Sequence, residues 1–98
     1  MADPQVPVIF TKHGCERCKI LKEWMNAHNV KYIEKDVGLT ENQRELGGDP
    51  DFVRKYCDEE GCLVNTPLVY YKKNYYFKEL WSPSIFLESA AKKMFGVK

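Results

Sequence analysis

The sequence predicts an α/β fold in which a four-stranded mixed sheet is flanked by helices. Residues 6–10 form a short apolar run and residues 30–37 alternate between apolar and polar side chains, with a helical pattern between them. Two aromatic runs at residues 68–71 and 75–77 flank a short polar turn, as expected of a β-hairpin. A strand–helix–strand unit has parallel strands, whereas a hairpin adds an antiparallel pair. The predicted order is therefore β-α-β-α-β-β-α.

Capping and turn residues predict where each helix begins and ends. A helix beginning at about Cys15 is predicted to end at Asn29, and the next is predicted to start at the cap residue Thr40 and to be interrupted at Gly47 and Gly48. Two further helix starts are predicted where a capping side chain is followed by a proline. Asp49 and Pro50 begin a helix that is predicted to end at Gly61, and Ser82 and Pro83 begin the last helix. The first helix has an apolar face of Ile20, Leu21, Trp24, Met25 and His28. The apolar side of the helical segment that restarts at Asp49 comprises Phe52, Val53, Tyr56 and Cys57, and that of the last helix comprises Phe86, Leu87, Ala90, Ala91 and Met94.

Composition and charge limit the classes of function. The chain has 98 residues, 44% hydrophobic and 30% charged, so we expect one folded domain spanning residues 1–98. A net charge of +1 with scattered lysines argues against nucleic acid and membrane surfaces as partners. The sequence has no apolar run of the roughly 18 residues that span a bilayer, and its N-terminus lacks the pattern of a secretory signal. We therefore expect a cytoplasmic protein, and we expect it to act as a monomer.

The strongest chemical signal is the Cys15-Glu16-Arg17-Cys18 motif, directly after a predicted strand and at the start of a helix. Free backbone N–H groups and the positive end of the helix dipole favour thiolate over thiol at that position. A thiolate is the nucleophile in disulfide exchange, so Cys15, which is expected to be exposed at the N-terminus of the helix, is the predicted nucleophile. Cys18, one turn later and partly covered, is predicted to attack the resulting mixed disulfide.

A second signal is Thr66-Pro67, immediately before a predicted strand. A proline at that position is compatible with the plain start of an edge strand. If the peptide bond is cis, however, the turn exposes the backbone of Thr66 to an incoming peptide or glutathione. Both interpretations are open at the level of sequence.

Together, the strand, the CxxC motif, the helix and the Thr-Pro pair before a later strand resemble the glutaredoxin family of thioredoxin-fold proteins, over about residues 6–95. Lys12 stands three residues before Cys15, as a lysine does in that family. The resemblance implies that Lys12 binds the glutathione carboxylate, that Pro67 follows a cis bond beside the substrate-binding backbone of Thr66, and that Glu79 pairs with the glutathione amine.

Departures from the family pattern bear on the reductant. The family's Gly-Gly pair after the hairpin is replaced by bulky residues near Phe77 and Lys78, which predicts crowding at the γ-glutamyl end of glutathione and weak binding. Trp81-Ser82 resembles related redoxins that are reduced by thioredoxin reductase. The electron source is therefore either glutathione or a reductase.

These observations predict a thiol–disulfide oxidoreductase that reduces protein disulfides or glutathione mixed disulfides. No metal or other cofactor is expected, with glutathione as a candidate reductant. Cys57 and Cys62 are expected to be a buried thiol and a loop thiol, although their spacing also allows a regulatory disulfide. The alternative function is a four-cysteine zinc-binding module without redox catalysis, in which Cys57 and Cys62 join Cys15 and Cys18.

Overall fold

Strands and helices alternate along the chain as the sequence predicts, with additional short strands in the second half. A computed structural model describes residues 6–82 and 85–97. The elements in chain order are β1 (Val8–Thr11), α1 (Glu16–Ala27), β2 (Ile33–Asp36), α2 (Thr40–Gly47), α3 (Pro50–Tyr56), β3 (Cys57–Asp58), β4 (Gly61–Cys62), β5 (Leu68–Tyr71), β6 (Asn74–Tyr76), a 3-10 turn (Lys78–Leu80), β7 (Trp81–Ser82), β8 (Ile85–Phe86) and α4 (Glu88–Phe95). No helix among these residues is long and apolar enough to cross a membrane.

The main sheet has four strands in the order β2-β1-β5-β6 and is mixed, which confirms the predicted fold class. Strand β1 pairs in parallel with β2 and antiparallel with β5, and β5 forms the predicted hairpin with β6. The hairpin turn is made by Lys72 and Lys73, which both have positive φ angles, 51° and 65°. Such a turn matches the right-handed twist of the paired strands.

The sheet is covered on both faces because successive residues of a strand point to opposite sides. Ile9 and Val69 face a core that contains Leu21, Trp24 and Met25 of α1. The other core contains residues from the opposite face of the sheet together with one residue each from α2 and α3, namely Val8, Phe10, Leu46, Phe52, Leu68 and Tyr75. All four residues of β1 are buried, as expected of a strand with helices on both sides.

Helix α1 ends where the sequence predicts, but its apolar face is narrower. His28 is the C-cap and Asn29 takes the left-handed conformation, with φ 57°. Asn tolerates this conformation better than most residues, which explains the stop. The prediction of the apolar face is wrong for Ile20, which is 41% exposed, and for His28, which is exposed and follows the last helical residue. The buried positions of α1 are Cys18, Leu21, Trp24 and Met25.

In the region of α2 and α3, one helix start is as predicted and two helix boundaries differ from the prediction. The Asp49 side chain accepts a hydrogen bond from the backbone N–H of Asp51 at 3.0 Å, and Pro50 occupies the first turn, as predicted. In α2, by contrast, the N-cap is Leu39 and Thr40 already lies inside the helix. Helix α3 ends at Tyr56 rather than Gly61, because Cys57 and the residues after it turn into the β3–β4 hairpin.

The last predicted helix also starts later than expected. Helix α4 begins at Glu88, because Phe86 pairs with Trp81 in a second small hairpin and is therefore in a strand. Trp81 is only 5% exposed and its ring contacts that of Phe86. The contact between the buried Trp81 ring and the half-buried Phe86 ring favours strand over helix here. Pro83, the predicted first-turn proline, lies outside the described residues.

The sheet topology brings two distant loops to one edge. Strands β1 and β5 are antiparallel, with Phe10 opposite Leu68. The carboxyl end of β1, which leads into the CxxC motif, therefore lies beside the amino end of β5, which follows Thr66 and Pro67.

Candidate active site

Cys15 occupies the N-cap of α1. Its backbone is extended, and its Sγ accepts a hydrogen bond from the backbone N–H of Cys18 at 3.1 Å. Gly14, directly before it, has a φ of 76°, which allows the chain to turn sharply from β1 into the helix. The sulfur of Cys15 is thus held at the positive end of the helix dipole, where the sequence predicts it.

Cys15 and Cys18 form a disulfide, with their Cα atoms 5.2 Å apart. Cys15 is half-buried, whereas Cys18 is only 2% exposed. A bulky disulfide substrate can therefore approach Cys15 but not Cys18. This asymmetry agrees with the predicted division between an attacking and a resolving sulfur.

The Thr66–Pro67 peptide bond is cis, which confirms that prediction from the resemblance. The hydroxyl of Thr66 donates a hydrogen bond to the Sγ of Cys15 at 3.4 Å, and the carbonyl oxygen of Thr66 lies 3.7 Å from the same sulfur. Thr66 is buried, at 6% exposure. Sequence reasoning assigned a role to the backbone of Thr66 but missed its hydroxyl, which would favour a thiolate at Cys15.

Lys12 lines an open cleft of about 820 Å³ together with both cysteines of the motif. The cleft extends from the motif to β2 and the start of α2, with Asp36, Leu39 and Asn42 among its lining residues. Lys12 is exposed, so its ammonium group is accessible to an anionic ligand beside the disulfide. The structure thus brings Lys12 and the reactive sulfurs to one cleft.

An ion pair between α1 and β2 lines one side of this cleft. The ammonium of Lys22 lies 3.1 Å from a carboxylate oxygen of Glu34, which also accepts a hydrogen bond from the Thr11 hydroxyl at 2.8 Å. The hydrogen bond from Thr11 lowers the pKa of Glu34, and Lys22 adds to this effect against the opposing effect of burial. Glu34 is therefore an anion at neutral pH, so the cleft carries charges of both signs.

Glu79 lies in a different environment. Its carboxylate pairs with the Lys55 ammonium at 3.0 Å and accepts a hydrogen bond from the backbone N–H of Phe77 at 3.1 Å. It lines a separate cavity of about 370 Å³ with Lys55, Tyr56 and other residues. Burial raises the pKa of Glu79, but the hydrogen bonds from Lys55 and the backbone outweigh it and lower the pKa overall. A role in binding the glutathione amine remains a prediction.

Arg17, between the two cysteines, is half-buried against aromatic rings. Its guanidinium carbon lies 5.9 Å from the ring centre of Phe77 and 6.0 Å from that of Trp81. These distances are within the range of a cation–π interaction. The sequence predicts Phe77 only as an obstacle to glutathione, and the contact that joins it to Arg17 was missed because the two residues are far apart in the chain.

The remaining cysteines are also paired. Cys57 and Cys62 are opposite each other in the β3–β4 hairpin and form a second disulfide, so the expectation of two unpaired thiols is wrong and the disulfide alternative is confirmed. Within residues 6–82 and 85–97, no three cysteine, histidine or acidic side chains converge as a metal site would require. The four cysteines form two pairs, which is not the tetrahedral arrangement of a structural zinc site.

Comparisons with known proteins agree with this geometry. A family model described as Glutaredoxin matches residues 8–47, which extend from β1 to the end of α2 and include the CxxC motif. Among solved structures, the chain is similar to the crystal structure of the thioredoxin-like protein BC3987, with 21% identity and a TM-score of 0.60 over 90% of this chain and 97% of that one. A search of curated protein sequences finds no match. The chain thus has a thioredoxin-like fold and is similar to glutaredoxins over residues 8–47, and its Cys15–Cys18 pair supports a thiol–disulfide oxidoreductase-like function.

Proposed function

We propose that this protein is an enzyme that reduces protein disulfides or glutathione mixed disulfides, with Cys15 as the nucleophile and Cys18 as the resolving cysteine. The observation that carries the proposal is the environment of one sulfur atom. The Sγ of Cys15 sits at a helix N-terminus and receives hydrogen bonds from the Cys18 N–H and the Thr66 hydroxyl. Each of these features favours a thiolate, which is the reactive form.

The first step begins from the reduced dithiol. The Cys15 thiolate attacks one sulfur of the substrate disulfide, the substrate S–S bond breaks, and the other substrate sulfur leaves as a thiolate that takes up a proton. The product is a mixed disulfide between Cys15 and the substrate. The positive end of α1 stabilises the Cys15 thiolate that makes this attack.

The second step is intramolecular. The Cys18 thiol loses its proton and attacks the Sγ of Cys15, which forms the Cys15–Cys18 disulfide and releases the second substrate thiol. The Cα separation of 5.2 Å allows this bond without movement of the helix. Overall, one substrate disulfide gains two electrons and two protons, and two electrons from glutathione or a reductase must then regenerate the dithiol.

The same proposal assigns substrate contacts to Lys12, Thr66 and Glu79. Lys12 would attract a carboxylate of the substrate into the cleft beside Cys15, and the backbone of Thr66 would pair with an extended peptide. Glutathione is proposed to bind weakly, because Phe77 and Lys78 would crowd its γ-glutamyl end and because Glu79 would have to leave its ion pair with Lys55 to contact the amine. We propose that the protein works as a monomer in the cytoplasm, without nucleic acid or membrane partners.

A single-turnover assay tests this function. The protein is reduced, freed of reductant, and mixed with a glutathionylated peptide, and release of the peptide thiol is followed by mass spectrometry. The Cys57→Ser/Cys62→Ser background ensures that only the first pair can supply electrons. Cys15→Ser should abolish release, and Cys18→Ser should accumulate a stable adduct on Cys15. Release at an unchanged rate from Cys15→Ser would contradict the proposal.

A further inference from the structure

The second disulfide lies in a small and accessible hairpin. Strands β3 and β4 have two residues each, and their pairs are Cys57 with Cys62 and Asp58 with Gly61. One further backbone hydrogen bond, from the N–H of Leu63 to the carbonyl of Tyr56 at 2.9 Å, extends the pairing. A hairpin this short is marginal by itself. The disulfide is the covalent tie that holds its two strands in register.

The two sulfurs of this bond differ in exposure. Cys62 is exposed, whereas Cys57 is half-buried and packs against the core that contains Phe52. Cys62 also lines a cavity of about 380 Å³, and Cys57 lines the cavity of about 370 Å³ that contains Glu79. A small thiol can therefore reach the bond, and Cys62 is the sulfur it meets first.

Three acidic residues lie in the turn that this disulfide closes. Asp58, Glu59 and Glu60 are consecutive and exposed between the two cysteines, and the Asp58 carboxylate accepts a hydrogen bond from the backbone N–H of Glu60 at 2.8 Å. Among the neighbouring cations, Arg54 pairs with Asp51 and Lys55 pairs with Glu79, which leaves Lys78 of the Cys57 cavity as one positive charge against these three carboxylates. The local field therefore repels anionic thiols and attracts cationic ones.

The hairpin is directly linked to the first redox site. Residues 63–65 are the only connection between Cys62 and Thr66, whose hydroxyl donates to the Sγ of Cys15. Val64 packs against the same core as Cys57. The end of β4 is therefore one restraint on the position of Thr66, beside the pairing of β5 with β1.

We propose that Cys57–Cys62 is a second redox site, which reacts with neutral or cationic thiols and sets the position of Thr66 at Cys15. In the reduction, a thiolate attacks the Sγ of Cys62, the Cys57–Cys62 bond breaks, and Cys57 leaves as a thiolate that takes up a proton. A second thiolate attacks the incoming sulfur and releases Cys62, so two external thiols are oxidised to one disulfide. Reduction frees the hairpin and loosens the contact between Thr66 and Cys15.

The chemical class of the reacting thiol is tested without reference to catalysis. In Cys15→Ser/Cys18→Ser, only the second disulfide remains, and its reduction by cysteamine, 2-mercaptoethanol and 3-mercaptopropionate is compared at equal thiolate concentrations. Cysteamine should react about tenfold faster than 3-mercaptopropionate at low salt, and added salt should reduce the ratio. Glu59→Gln/Glu60→Gln is the matched control and should also reduce it. Equal rates for the three thiols, or a bond that none of them reduces, would overturn the assignment.

The same reaction can be followed in the unmodified chain, which guards against a folding defect of the double variant. Alkylation of the thiols after a short exposure to cysteamine, followed by peptide mapping, reports each disulfide separately. Cys57 and Cys62 should become alkylated as a pair, with the mixed disulfide on Cys62 as the intermediate. A mixed disulfide found on Cys57 instead would overturn the proposed order of attack.

The link to Cys15 rests on the proposed function and has its own test. Cys57→Ser/Cys62→Ser mimics the reduced hairpin and should lower kcat/KM for the glutathionylated peptide by about fivefold. Hydrogen exchange at Leu63 and Val64 should accelerate, while the β1 and β5 amides stay protected. Unchanged kcat/KM in an active protein would refute the link. A wild-type protein that does not reduce the glutathionylated peptide would refute the proposed function. The comparison of the three thiols would then still test whether Cys57–Cys62 is a second redox site.

Discussion

The two disulfides of this protein join cysteines at short sequence separations, three and five residues, in very different surroundings. Cys15–Cys18 begins a helix, and the Sγ of Cys15 receives hydrogen bonds from one backbone N–H and one hydroxyl, whereas Cys57–Cys62 crosses a hairpin whose turn contains three exposed acidic residues. The more exposed cysteine, Cys62, has no helix dipole behind it. The exposure of a cysteine and the stabilisation of its thiolate are therefore separate properties in this protein, although they are often treated as one property of a reactive cysteine.

The largest expected difference between the two pairs is catalytic. Cys15→Ser should lower disulfide reduction by several orders of magnitude, because it removes the attacking atom. Cys62→Ser, the matched change at the more exposed cysteine, should cost only severalfold. Steady-state reduction of a glutathionylated peptide measures both. Comparable losses for the two variants would mean that the two pairs act as one relay, and the comparison would fail.

The next effect concerns the hydroxyl that only the first pair receives. Thr66→Val removes the donor to the Sγ of Cys15, and a hydrogen bond to a charged group is worth about 1.5–3 kcal/mol. The rate of Cys15 alkylation at neutral pH should therefore fall about tenfold. Thr66→Ser keeps the hydroxyl and serves as the control. Equal alkylation of the valine and serine variants would show that the donor does not activate the sulfur.

A smaller effect is expected at Arg17, which joins the CxxC motif to the aromatic residues of the second half. Arg17→Met retains an apolar stem but removes the cation over Phe77 and Trp81, at a cost of about 0.5–1 kcal/mol in unfolding free energy. Arg17→Lys should recover part of this loss. Urea unfolding of the three proteins measures the difference. A methionine variant as stable as the wild type would exclude a stabilising cation–π contact.

The smallest effect concerns the Lys55–Glu79 ion pair beside the second disulfide. The pKa of Glu79 is lowered on folding, so its contribution to stability is present above the unfolded-state pKa and is lost as the pH falls through the lower, folded-state pKa. Both side chains are 41% exposed, so Glu79→Gln should cost less than about 1 kcal/mol at pH 7. The variant and the wild type should converge in stability once the pH falls below the folded-state pKa of Glu79. A difference that persists unchanged throughout an acid titration would contradict an ionic origin.

Local signals in the sequence were sufficient for the first site. The apolar run of β1, the CxxC motif and the amphipathic face of α1 are contiguous, so each element supports the next. The hairpin of β5 and β6 was predicted for the same reason. The hydroxyl contact between Thr66 and Cys15 was missed because it joins residues 51 positions apart and depends on the register of β1 with β5.

The second half was harder to predict because short strands imitate helical periodicity. Phe52, Tyr56 and Cys57 follow a helical spacing, yet Cys57 already belongs to β3. Likewise, Phe86 fits the apolar face of α4 but pairs with Trp81. In both places a cross-strand partner only five residues away decides the structure, and two-residue strands leave no alternating pattern in the sequence.

The competition among the thiols for a limiting alkylating agent tests the central claim most directly. The fully reduced protein is treated at neutral pH with less than one equivalent of iodoacetamide, and peptide mapping identifies the labelled cysteine. If accessibility alone decided the rate, the exposed Cys62 would be labelled first. The account predicts that Cys15 is labelled first, because its helix N-terminus and two hydrogen-bond donors favour the thiolate. Preferential labelling of Cys62 would contradict the assignment of Cys15 as the nucleophile.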